Sequence, residues 1–531
     1  MSILGSKQTL GLAAILLVIG NLLSRLMGLI RDKVISWQFG AGSEADLYFA
    51  AFVIPDMINY LLAGGFMSIT IIPLLAQSFQ EDEQDAWRFF STVLTWIFLV
   101  ATSLTIICMW QAEPLANIIA PGFNLEQRVR LAYFMRLVLP AQIFFLSGAC
   151  FTAVLFLRRQ FWVPALTPLI YNGSIILGGV LLPVIPLLLG EGYDYQSQLN
   201  RFGMTGYCVG VTIGSFLGAF LLPYFTVKRQ ELRFSLSFKH PKLKKFLLLA
   251  LPLMLGQTII MLDEQFLRIF GSFFDTGTVA LLNYGRRVAL LPIGLIGQAF
   301  AVASYPFLVK LLTNGERDKF YGTINQAMHM GLSLILPCMV YILAAAWPIL
   351  TFIFHGGRFG DNETLACVPL LQIMVSAIPL WMIYMILVRA FYAQQDTITP
   401  AVTGTIVTLI ALPVYYFLAS RLSPKAVALT SAVSVSSYIL WLALIWRKRF
   451  GAAIYQGLGR VSCKALLCSL PAALVAWQII TFCQTFALNS WLISVIALAL
   501  SGLAYLGIFF GLAHFIWPDF WPFLRKVFLH R

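Results

Sequence analysis

Ser24-Arg25-Leu26-Met27-Gly28-Leu29-Ile30-Arg31-Asp32, followed by Phe39-Gly40-Ala41-Gly42, Asp46 and Pro55, decides how the rest of the chain is read. Two arginines and an aspartate stand in a segment otherwise apolar enough to cross a bilayer. An ionised side chain at the centre of a membrane costs at least about 2.5 kcal/mol on insertion scales, so such residues face a protein interior or a wet cavity. The segment is therefore expected to line a polar cavity inside a helical membrane protein, and that cavity to carry the function.

The composition outside the stretch agrees. Of 531 residues 60% are hydrophobic and only 11% charged, where a soluble chain has about 25% charged. Apolar runs of about 20 residues recur along the whole length, the pattern of transmembrane helices rather than of barrel strands. The net charge of +14 does not indicate nucleic acid, because the basic residues concentrate in short loops on one side, as cytoplasmic loops do. The eight cysteines (Cys108, Cys150, Cys208, Cys338, Cys367, Cys463, Cys468 and Cys483) fall mostly within apolar runs and form no metal or disulfide pattern. The first apolar segment lacks a small-residue cleavage site and reads as a retained helix.

About fourteen spans are expected, over 8–37, 44–79, 87–112, 127–156, 162–188, 203–227, 245–271, 277–313, 319–354, 363–394, 398–420, 424–447, 463–486 and 490–516. An even number places both termini on one side. That side would hold Arg158-Arg159, Lys228-Arg229, Lys242, Lys244-Lys245, Lys310, Arg317, Lys319 and Arg447-Lys448-Arg449, so the termini are expected in the cytoplasm. The expected organisation is a six-helix N-terminal lobe over 1–228, a basic cytoplasmic connector over 229–244, a C-terminal lobe of helices seven to twelve over 245–455, and helices thirteen and fourteen with a tail over 456–531. Two such lobes around a midplane site are a common transporter plan. The fold class is thus all-α and polytopic, with a central cationic cavity between lobes.

Several residues carry candidate chemistry. Arg25, Gly28 and Asp32 share one helical stripe, whereas Arg31 aligns with Ser24. On this facing, Arg31 is the better candidate for a free cation, and Arg25 for one partly neutralised by Asp32. An arginine suits phosphate because its planar, permanently charged fork can donate two parallel hydrogen bonds. The alternative is a structural pair, with Arg25 or Arg31 neutralised by Asp32 or Asp46. Helix two adds Asp56 and Asn59, then Gly64-Gly65 as a close-packing contact. On helix seven, Asp263 or Glu264 with Arg268 is either a satisfied ion pair or a site for a coupling proton or cation. On helix eight, Arg286 and Arg287 are adjacent, so at most one points into a cavity. The histidines are scattered, and no catalytic triad, metal spacing or nucleotide fingerprint appears, so an enzyme is not expected, nor a cofactor or metal.

With Ser24-Arg25, Gly28, Arg31-Asp32, Phe39-Gly40-Ala41-Gly42 and Asp46, the chain resembles the MurJ (MviN) family of lipid II flippases, within the multidrug/oligosaccharidyl-lipid/polysaccharide exporter superfamily. Pro164-Ala165, Pro168 and Asn172, then Tyr284, Arg287, Pro292 and Gly294, then Phe391-Tyr392, Asp396, Thr399 and Pro400 follow in the same order. The resemblance implies alternating-access transfer of an undecaprenyl-pyrophosphate-linked peptidoglycan precursor, lipid II, to the outer leaflet of a bacterial inner membrane. Arg25, Arg31 and Arg287 match cationic cavity positions, and Asp46 a family acid. A lipid-tail groove is implied between helices thirteen and fourteen. Implied partners are lipid II or a related glycan, membrane lipids and the cell-wall synthesis machinery, with no nucleic acid.

The chain also departs from the family pattern. Asn59 stands where an arginine is common, Gly64 where an acid is, and Arg286 where relatives often have aspartate. Leu267 occupies the helix-seven position of a sodium ligand in some relatives, and 398–420 contain no Asn or Asp. A flippase for another polyprenyl-pyrophosphate saccharide, or a drug/cation antiporter of the superfamily, stays open on these residues.

Overall fold

The computed structural model describes residues 10–63, 70–188, 194–228, 234–260, 262–518 and 520–521, without the side chains of 10–18, 63, 251–260, 298–299, 301–303, 306 and 418–419. Gly64-Gly65 lies outside the described residues. Helix is the dominant element throughout, and the described residues contain one isolated bridge, Gly356 with Phe359, and no strand. The bilayer demands this, since a spanning segment must satisfy its own backbone hydrogen bonds. Among the described residues eleven helices are long and apolar enough to cross a membrane. The other three expected spans fall on Leu10–Phe39, on Pro241–Ile260 with Leu262–Gly271, and on the run from Thr278–Ala289 to Gln298–Thr313. They carry the costly charges or lie partly outside the described side chains. Large apolar residues such as Leu467, Leu470, Leu474 and Trp477 are more than half exposed, as a lipid-facing helix surface requires.

The chain forms two compact units: 1–35 with 42–279, and 36–41 with 280–531. In the first, the helices Trp162–Leu181 and Thr205–Gly214 pack closely along their length. The reason is a four-residue glycine spacing, Gly206, Gly210, Gly214 and Gly218, that removes side chains from one helix face. A Cβ on Gly210 would stand 2.5 Å from the Ser174 carbonyl oxygen and 2.8 Å from Ile175 Cα. Gly210→Ala should therefore force the pair apart at a cost of about 1–3 kcal/mol. Thermal unfolding of the purified protein checks this against Gly459→Ala, whose new Cβ meets nothing within 4 Å. Equal stability of the two variants would remove the close-approach argument. Beyond this pair an aromatic cluster, with Phe151 between Phe90 at 5.5 Å and Phe220 at 5.8 Å, fills the interior.

In the second unit, Trp446 is fully buried and packs on Phe391 at 4.9 Å and Phe450 at 4.6 Å. Asp396 starts the helix Ile398–Val414, accepting from the Thr399 N–H at 2.9 Å and its hydroxyl at 2.6 Å, and takes Arg449 at 2.9 Å. The Asp396-Thr399-Pro400 motif is thus a helix start tied to the end of Pro424–Phe450. The helices Leu458–Cys483 and Ser490–Ile516 form a tightly packed hairpin. Ser36–Ala41, the end of the first helix and its turn, belongs to this unit. Ser36 donates to the Phe354 carbonyl at 3.2 Å, the Arg358 N–H to the Trp37 carbonyl at 2.9 Å, and Tyr284 to the Gly40 carbonyl at 3.2 Å. Gly40 takes a φ of +59°, with the Arg358 carbonyl standing where a Cβ would be. That combination explains why the Phe39-Gly40 turn needs glycine.

Candidate functional site

Helix Leu10–Phe39 runs beside Trp162–Leu181 in the same direction. Gly20 lies against Ala165, and Met27 Cε is the nearest atom to a Cβ on Gly173. This register carries Arg31 to Asn172. Arg31 is 9% exposed, and its guanidinium donates from Nη1 to Asn172 Oδ1 at 3.1 Å. Asn172 is oriented for the purpose, because its Nδ2 donates to the Pro168 carbonyl at 2.8 Å and so turns Oδ1 outward. Arg31 Nε and Nη2 both donate to Asp32 Oδ1, at 3.0 and 2.8 Å.

Arg31 is therefore paired, not the free cation that the helical stripe suggested. The stripe describes where Cβ atoms point, and a long arginine folds back to the carboxylate of its neighbour in sequence. Three of its five N–H groups are used. The remaining two have no bond partner among the described residues, so the pair keeps a donor edge. Tyr48 lies among the electrostatic neighbours of Arg31. Its hydroxyl is buried and has no protein hydrogen bond among the described residues, which adds a polar atom that sequence reasoning missed.

Ser24 and Arg25 are half-buried about 9 Å along the axis from Arg31. Between them Gly28 faces open space, for a Cβ there would meet nothing within 4 Å. One face of the first helix thus combines Arg25, the opening at Gly28 and the Arg31–Asp32 pair.

Three further polar groupings lie in the same unit. Asp46 is buried and its Oδ2 accepts from the Gly277 N–H at 2.5 Å, ahead of the helix Thr278–Ala289. Asn59 donates to Gln142 Oε1 at 3.2 Å. On helix Leu262–Gly271, Arg268 is 4% exposed and bridges two acids, Glu264 Oε1 at 2.7 Å from Nη2 and Asp56 Oδ2 at 2.7 Å from Nη1. Gln265 Oε1 takes a further bond from Nη1 at 3.1 Å. Of the two helix-seven partners that spacing allowed, the structure shows Glu264, the i,i+4 acid; Asp263 is half-buried beside it. Asp56, more than two hundred positions away in sequence, had no local signal. With both carboxylates ionised the trio carries a net charge of −1.

In the second unit Arg287 is exposed and Arg286 half-buried, consistent with adjacent residues facing different ways. An apolar cavity of about 410 Å³ lies between Arg317–Ala344 and Ser490–Ile516, lined by Pro337, Cys338, Tyr341, Tyr505 and Phe509. It occupies the face of Ser490–Ile516 turned toward Arg317–Ala344.

Comparison with known proteins supplies what the geometry cannot name. The family model described as "Lipid II flippase MurJ" matches residues 35–497. A lipid II flippase of Thermosipho africanus is 26% identical over 430 residues, covering 81% of this chain and 84% of its own. A solved lipid II flippase in an inward closed conformation superposes with a TM-score of 0.75 at 25% identity, over 93% of this chain and 98% of that one. An inward-facing multidrug transporter of the MATE family shares the fold, with a TM-score of 0.62 at 15% identity over 83% of this chain and 99% of that one.

Proposed function

Because the chain belongs to the MurJ family of lipid II flippases, we propose that it carries lipid II from the cytoplasmic to the outer leaflet of the inner membrane by alternating access. Both termini lie in the cytoplasm on this reading, and the cell-wall synthesis machinery receives the product. The observation that carries the reading is the Arg31–Asp32–Asn172 group, a fixed guanidinium with two N–H donors left over. A pyrophosphate offers acceptor oxygens in the geometry such a fork matches. Arg25 adds positive charge on the same helix, and Arg287 is a further cationic position that the resemblance implies. The protein supplies binding and conformational change, as a transporter does.

A flippase for another polyprenyl-pyrophosphate saccharide would share the anion anchor and differ in the sugar contacts. Asn59, bonded to Gln142 where the family commonly has arginine, is the observation that favours keeping this second reading. Native mass spectrometry of the purified protein, offered lipid II and other polyprenyl-pyrophosphate glycans in competition, separates the two. Preferential retention of lipid II, together with rescue of cells depleted of their own lipid II flippase, is the expected result. Failure on both counts would sink the substrate assignment.

A further inference from the structure

Residues 234–240, Phe-Ser-Leu-Ser-Phe-Lys-His, form a stretch without helix or strand that the transport site does not use. Its path is fixed by the helix Glu83–Trp110. The Ser235 N–H donates to Ser91 Oγ at 3.2 Å, Thr92 Oγ1 to Ser237 Oγ at 3.0 Å, and Trp96 Nε1 to the Phe238 carbonyl at 3.1 Å. The stretch ends firmly: His240 is buried against Phe89 and bonded to Asp85 at 3.1 Å. Lys242 donates to Glu81 at 2.6 Å, which holds that carboxyl below its usual range.

The Ser235 N–H and the Ser237 hydroxyl face the helix, while the side chains of Phe234, Leu236 and Phe238 stay 51%, 71% and 48% exposed, Phe238 edge-on to Trp96 at 6.3 Å. Three large apolar side chains in a row on a water-facing loop would be unfavourable. Their level on the helix explains them. On Glu83–Trp110 the exposed side chains are Glu83, Gln84 and Arg88 toward the start, then from Trp96 onward mostly apolar ones, beginning with Trp96, Phe98, Leu99 and Val100. The eight helical steps from Arg88 to Trp96 rise about 12 Å, and the stretch is bonded at Ser91, Thr92 and Trp96, where polar surface gives way to apolar. Tryptophan belongs at that depth of a membrane. Lys239, Lys244 and Lys245 are exposed beside it.

We propose that residues 234–239 are a membrane-interface anchor, with Phe234, Leu236 and Phe238 inserted among the headgroups of an anionic phospholipid leaflet and the neighbouring lysines over them. The charge complementarity is that of a cytoplasmic leaflet, and so rests on the orientation proposed above; the insertion does not.

The experiment places a spin label at Leu236→Cys in protein carrying Cys463→Ser, which removes the exposed cysteine. The protein is reconstituted in nanodiscs of phosphatidylglycerol with phosphatidylethanolamine, or of phosphatidylcholine. Labels at Val100→Cys and Glu83→Cys mark lipid and water. The label at 236 should be several-fold more accessible to oxygen than to a water-soluble nickel complex, as at 100 and opposite to 83. Accessibility like that at 83, or shielding from both reagents by protein, would overturn the anchor. The wild type should also melt higher in phosphatidylglycerol, with the difference reduced in Lys239→Gln/Lys244→Gln/Lys245→Gln; equal melting in both lipids would overturn the anionic assignment. Neither readout involves lipid II, so failure here and failure of the transport reading are separable.

Discussion

Arg31→Ala is expected to abolish rescue of flippase-depleted cells and to reduce the amount of folded protein in the membrane. Two effects combine in this one change. Asp32, 1% exposed, loses the guanidinium that holds its Oδ1 at 2.8 Å. Stranding one member of a buried pair costs roughly 3–5 kcal/mol. The donor edge for an anion disappears at the same time. Arg31→Ala/Asp32→Asn separates the two effects, because the amide leaves no buried charge behind. The double variant should return to the membrane at near wild-type level, yet retain no lipid II in native mass spectrometry. If it recovers rescue as well, Arg31 is a structural partner of Asp32 and the anion is held elsewhere. Arg31→Lys should fall between, since an ammonium is a point charge without the fork that spans Asp32 and Asn172.

The second large effect is expected at Arg268. Arg268→Met leaves Asp56 and Glu264 facing each other across the space one guanidinium filled. Both acids keep a little over a quarter of their side-chain surface exposed, so the loss should lie near the low end for a buried pair, about 3 kcal/mol. Thermal unfolding of the purified variant measures it. Adding Asp56→Asn and Glu264→Gln to Arg268→Met should restore most of the loss, which separates stranded charge from lost packing. A single variant as stable as the wild type would show that a bound proton or cation, not Arg268, neutralises the two acids.

How far these residues were legible in the sequence follows from how far apart their partners lie. Glu264 and Arg268 are one helical turn apart, so their pairing was among the options that spacing alone allowed. Asp32 is adjacent to Arg31, yet the stripe argument separated them, because it tracks Cβ directions and not the reach of a four-torsion side chain. Asn172 and Asp56 are 141 and 212 positions from their arginines, and no periodicity within one helix can report such a pairing. The glycine spacing from Gly206 to Gly218 gained its meaning only from the structure, because its partner face on Trp162–Leu181 lies far away in sequence. Likewise, composition marked 229–244 as a polar break, while Leu262–Gly271 packs within the first unit through Arg268 and Asp56.

What the sequence determined by itself is the membrane-spanning, all-helical class and the interior placement of Arg25, Arg31, Asp32 and Arg268. Both follow from the solvent: hydrocarbon leaves the backbone one local way to satisfy its hydrogen bonds and makes an unpaired charge too costly to face lipid. What only the tertiary structure decided is which partner each of those charges takes and which donors are left over. That depends on the register in which one helix packs against another, as Gly20 on Ala165 sets Arg31 against Asn172, and register is a property of two surfaces that no single stretch contains.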